Sequence, residues 1–151
     1  MDKNFGRILM AGFCFLEHTA DIKIRAYGKT INEAFQEAAR ALFEAMTDTS
    51  KITPNIKRKI EVEAEDLKAL LYQWLEEFIY LFDSEGLIFS EFKVESIQQK
   101  EGMLKLKGEA SGEEFDSKKH TQRSAIKAVT YHEMKIDQSP KKTILEFVLD
   151  I

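Results

Sequence analysis

The stretch Ile22-Lys23-Ile24-Arg25-Ala26-Tyr27-Gly28-Lys29-Thr30-Ile31-Asn32-Glu33-Ala34-Phe35 changes period in its middle. Ile22, Ile24 and Ala26 alternate with Lys23, Arg25 and Tyr27, the pattern of a half-buried strand. Gly28-Lys29 then turns the chain. From Thr30 onward Ile31, Phe35, Ala38, Leu42 and Met46 recur at helical spacing and form one apolar stripe. Thr30 and Glu33 stand at the spacing at which each side chain can satisfy a free backbone donor of the other. A strand followed by an amphipathic helix is thus the unit from which the rest is read.

Upstream, Phe13-Cys14-Phe15-Leu16 reads as a buried strand. Downstream, Thr47-Asp48-Thr49-Ser50 ends the helix, and Ile60, Val62 and Ala64 alternate with Glu61 and Glu63 in a strand with one wet face. Asp66 is a suitable N-cap for a second helix whose wide apolar face comprises Leu67, Leu70, Leu71, Trp74, Leu75, Phe78, Leu81 and Phe82. Gly86 suits the left-handed position that stops it. Two runs around Gln99-Lys100-Glu101-Gly102 predict a hairpin, and Ala128 to Ile136 with Thr143 to Leu149 predict a final pair. Asp116 to Arg123 is polar and reads as a loop. The order β-β-α-β-α and then mainly β points to an α+β fold. Its expected form is a two-layer sandwich, with a mainly antiparallel or mixed sheet and two helices on one face.

The chain has 151 residues, of which 44% are hydrophobic and 32% charged, and this mix fits one globular domain rather than a disordered segment. Residues 1–12 read as a poorly ordered N-terminal extension and 13–151 as the single domain. A lone cysteine, Cys14, excludes an intrachain disulfide and favours a reducing, cytoplasmic compartment. No apolar run approaches the roughly 20 residues that span a bilayer. The net charge of −4 lacks the basic footprint of a nucleic-acid module, so little direct nucleic-acid binding is expected.

Phosphate-binding glycine loops, nucleophile elbows and paired-histidine zinc helices are missing from the sequence. Four segments carry candidate chemistry. Glu17-His18-Thr19-Ala20-Asp21 can present an imidazole and a carboxylate at a sheet end, or simply form a turn in which Asp21 bonds nearby amides. In Thr130-Tyr131-His132-Glu133-Met134, strand alternation would send Tyr131 and Glu133 one way and His132 and Met134 the other; a plain surface strand face explains this segment as well. Lys118-Lys119-His120 is a basic run that could hold a phosphate or an acidic partner, or be a solvated loop. Asp150-Ile151 follows a strand directly. Its neighbouring carboxylates suit calcium, magnesium or manganese, against the alternative of an ordinary solvated terminus.

Glu17-His18-Thr19-Ala20-Asp21-Ile22, Asn32-Glu33-Ala34-Phe35, Val62-Glu63-Ala64-Glu65-Asp66-Leu67, Lys127-Ala128-Val129-Thr130-Tyr131-His132 and the final Asp150-Ile151 together resemble the archease family. The resemblance runs from about Phe13 to Ile151. It implies a two-layer α/β sandwich and a non-catalytic accessory role. The implied role is activation of the RtcB-type RNA ligase in tRNA splicing, by promoting ligase guanylylation and turnover. It also implies a divalent-cation site carried by Asp21, Asp150 and the terminal carboxylate of Ile151. Calcium is the ion expected in a structure, with magnesium or manganese the candidates in function. His18, Lys119, His120 and Lys127 fall on the functional surface that the resemblance suggests. A second implied role is that of chaperone or specificity modulator for an RNA-modifying methyltransferase. Asp21, Asp150 and His18 would also suffice on paper for metal-dependent hydrolysis, against which stands the lack of an identifiable nucleophile or substrate pocket.

Overall fold

The computed structural model describes residues 11–151; residues 1–10, where most of the expected extension falls, lie outside the described residues. Among the described residues the chain forms β1 (Gly12–Leu16), β2 (Ile22–Gly28), α1 (Ile31–Met46), β3 (Ile56–Ala64), α2 (Leu67–Glu85), β4 (Leu87–Lys100), β5 (Met103–Glu114), β6 (Ala128–Gln138) and β7 (Thr143–Asp150). All pairings are antiparallel, and the strands divide into a four-stranded sheet in the order β1-β2-β7-β6 and a three-stranded sheet in the order β3-β5-β4. The fold is α+β. Alternation reports which residues of a strand are buried but not which strand lies beside it, so the split into two sheets is visible only in the structure.

Both helices begin where the sequence places their caps. The Thr30 hydroxyl accepts from the Glu33 N–H at 3.1 Å, while the Glu33 carboxylate reaches back to the Lys29 N–H at 2.8 Å, one residue before the donor expected of a reciprocal box. Asp66 accepts from the Ala69 N–H at 2.8 Å, and Gly86, at φ 69°, closes α2 in the left-handed region. α1 packs against β2 of one sheet and β4 of the other, and α2 against β6 and β3. That double engagement explains why α1 is buried beyond a single stripe, through Ala34, Ala38, Ala41 and Ala45 as well as Phe35 and Leu42.

The centre of the core is aromatic. Phe43 of α1 and Phe78 of α2 meet edge-on at 5.8 Å, and both contact Phe89 and Phe92 of β4. Trp74 lies 4.8 Å from Phe78, and its indole N–H donates to the Phe35 carbonyl at 2.8 Å, so the one polar atom of a fully buried side chain is satisfied. Among the described residues no helix is long and apolar enough to cross a membrane.

Two local expectations are corrected. β1 is the outermost strand of its sheet and is half-exposed rather than buried, with Phe15 47% accessible. In β6 the alternation breaks, because Thr130 pairs with Val148 and Lys135 with Glu146, leaving Tyr131 to Met134 opposite Phe147 alone. This bulge frees the four side chains from a two-residue period. Met134 enters the core, Tyr131 stacks on Tyr72 of α2 at 4.6 Å, and His132 and Glu133 both turn toward His18.

Candidate functional site

β2 and β7 hold the site. Ile24 and Phe147 face each other in register and are fully buried, so the intervening Lys23, Arg25 and Glu146 occupy the opposite, outer face. Arg25 donates to Glu146 at 2.7 Å, and Lys23 lies 3.8 Å from the same carboxylate. The last pair of the ladder is Ile22 with Leu149. Carrying register and alternation one residue further sets Asp21 opposite Asp150 on this outer face. The carbonyl of Asp150 accepts from the N–H of Lys127, the residue just before β6, at 2.7 Å. Ile151 is exposed at the same end.

His18 reaches this end from the loop between β1 and β2. Its Nδ1 stands 4.0 Å from Asp21 Oδ2, and its Nε2 stands 3.5 Å from Glu133 Oε2. The His132 Nε2 lies 3.1 Å from the same Glu133 oxygen, and the Lys23 ammonium lies 2.7 Å from Glu133 Oε1. The Lys23 hydrogen bond outweighs the cost of partial burial and, with His18 and His132, holds the Glu133 carboxyl down at about 2. Glu133 is therefore an anion at neutral pH. The backbone is shaped to the same end. Among the described residues the non-glycine positions with positive φ are Ala20 at 65°, Glu101 at 55° and Glu133 at 55°. Glu101 lies in the β4–β5 turn, whereas Ala20 and Glu133 flank this cluster, the kind of place where proteins tolerate backbone strain.

The structure thus brings Asp21, Asp150, Ile151, His18 and Lys127 to one sheet end, and adds Lys23, His132 and Glu133. Sequence reading separated His132 from Glu133 because it assumed unbroken alternation. Lys119 and His120 lie elsewhere, at the end of β5. His120 Nδ1 accepts from the Asp116 N–H and its Nε2 proton donates to Glu113 at 2.9 Å, while the Lys119 ammonium bonds Glu113 and Thr53, each at 2.7 Å. The basic run is engaged within the fold. An apolar cavity of about 90 Å³ between Met46, Phe82, Ile88 and Phe115 lies away from the carboxylate cluster and has no titratable side chain in its lining.

Asp21 and Asp150 at the sheet end offer oxygen donors, the kind that suit a hard cation. The archease protein family is the family whose profile matches this chain, over residues 13–151. The protein archease of Sulfurisphaera tokodaii is 51% identical over 142 residues, covering 94% of this chain and all of the relative. That of Pyrococcus furiosus is 52% identical over 124 residues, covering 82% and 87%. A protein of Methanobacterium thermoautotrophicum solved in solution superposes with a TM-score of 0.81 at 41% identity, over 93% of this chain and 99% of that one. The crystal structure of an archease from Thermotoga maritima matches at a TM-score of 0.56 and 22% identity, over 90% and 94%, which is a likeness of fold.

Proposed function

The chain belongs to the archease family, and from that premise we propose that it activates an RtcB-type RNA ligase of tRNA splicing by promoting the ligase's guanylylation and turnover. The observation that carries the reading is that the β2–β7 ladder ends on the pair Ile22 with Leu149, which leaves Asp21 and Asp150 at the same exposed sheet end as Ile151 and Lys127. Asp21, Asp150 and the Ile151 carboxylate hold a divalent cation there. Bound, that ion supplies charge neutralisation and positioning for nucleotidyl transfer on the ligase. The protein's own residues do the holding and the presenting. The β2–β7 ladder fixes the two aspartates at adjacent strand ends, and the Lys127 amide anchors the Asp150 backbone. Nothing in this role requires a nucleophile on the chain itself, and the protein acts as an accessory rather than an enzyme.

The test is a guanylylation assay with ligase, GTP and metal at a substoichiometric dose of this protein. Asp21→Ala and Asp150→Ala, shown by circular dichroism to be folded, lose the stimulation. Full stimulation by both variants would rule the reading out. A second reading is that of a chaperone or specificity modulator of an RNA-modifying methyltransferase. The Thermotoga maritima relative is named an archease and possible chaperone, and the exposed rings of Phe15, Tyr80 and Tyr131 offer protein-binding surface here. Stimulation that survives loss of both carboxylates but fails on polar replacement of those rings favours it.

A further inference from the structure

We propose that His18, His132 and Glu133 form a second cation site, selective for a borderline transition metal such as zinc or cobalt and distinct from the carboxylate site of Asp21, Asp150 and Ile151. This goes beyond the ligase reading and does not rest on it. Nε2 of His18, Nε2 of His132 and Oε2 of Glu133 converge, and their ligand atoms all lie within 4.8 Å of one another. A tetrahedral zinc ion with bonds of about 2.0–2.2 Å separates its ligand atoms by roughly 3.4 Å. The separations of 3.1 and 3.5 Å to Glu133 bracket that value. Two imidazoles and one carboxylate leave a fourth position for water. Such a set favours zinc, cobalt or nickel over calcium and magnesium, which prefer oxygen ligands.

A further observation points to a ligand. His18 Nδ1 is buried and has no hydrogen-bond partner among the described residues, although Asp21 Oδ2 stands only 4.0 Å away. Ligation through Nε2 leaves the ring proton on Nδ1, directed at that carboxylate. At 4.0 Å the two are not hydrogen-bonded, and a small closure of the gap on ligation would complete the carboxylate–histidine arrangement that commonly supports metal-bound imidazole. Glu133 is divided in the same sense. Lys23 takes Oε1 and leaves Oε2 toward the two rings. The bulge and the left-handed backbone at Glu133 are what put His132 and Glu133 on one side, which an uninterrupted strand would not do.

The test is a cobalt(II) titration of the untagged, chelator-stripped full chain in excess magnesium, followed by visible absorption. The wild-type protein binds one equivalent with ligand-field bands of nitrogen-coordinated cobalt. His132→Ala raises the dissociation constant by at least the roughly tenfold that loss of even an outer-shell partner costs. His132 has 64% of its side chain exposed, so this variant keeps the fold. Glu133→Gln weakens binding likewise, and Asp150→Ala leaves it unchanged. Wild-type affinity in His132→Ala, loss of cobalt in Asp150→Ala, or no cobalt bound by the wild type would each overturn the proposal. The first two also show whether the cation instead occupies the carboxylate end, independently of any effect on the ligase.

Discussion

Glu113 accepts from the Lys119 ammonium, the Thr53 N–H and the His120 ring, all through the same oxygen. Burial pushes its carboxyl up, but these donors prevail and bring it to about 2. A folded pKa below the unfolded one contributes stability that is fully present above about 4.3 and is lost as pH falls through about 2. The Tm difference between the wild type and Glu113→Gln is therefore expected to narrow as pH drops from 5 to 2. A difference that stays constant over that window, measured by thermal unfolding, would contradict the assignment. At this scale the sequence was readable where the signal is local. Thr30, Asp66 and Gly86 do what their neighbours in the chain require. Glu113 was not readable, because its donors come from a loop sixty residues upstream as well as from its own turn.

β4 and β5 form the longest hairpin, closed by Glu101 and Gly102, both at positive φ. Bulges interrupt β4 between Phe89 and Glu91 and again between Val94 and Ser96, and a β5 glycine faces each of them. A Cβ built on Gly112 would come within 1.8 Å of the Ile88 carbonyl oxygen, which is backbone and cannot swing aside. Gly112→Ala is accordingly expected to cost at least about 2 kcal/mol, read as a lower urea midpoint. An unchanged midpoint would mean that the strands separate freely at that bulge. The elements were legible because period and turn residues act within a few positions. The β6 bulge was not, since the mismatch that creates it depends on where β7 resumes pairing. The same bulge separates the expected site from the observed cluster.

Across the whole molecule, β1 and β2 at one end of the chain share a sheet with β6 and β7 at the other, while the intervening residues build the second sheet. Fold class was legible from element order, but this closure was not, because pairs such as Arg25 with Glu146 lie 121 positions apart. The proposed hard-cation site depends on it. A short peptide appended after Ile151 is expected to abolish ligase stimulation while leaving Tm unchanged, since it removes the terminal carboxylate and no core contact. Undiminished stimulation by the extended protein would show that the terminal group plays no part. The insertion of β7 between β2 and β6 also bears on how the molecule is made. Synthesis runs from the N-terminal end, and a strand still inside the ribosome cannot pair. Asp21 emerges early and waits for Asp150, which follows the whole of the second sheet along the chain. A nascent chain can gather its helices and the β3-β5-β4 sheet before β7 closes the other sheet, so the proposed cation site is the last part of the fold to be assembled.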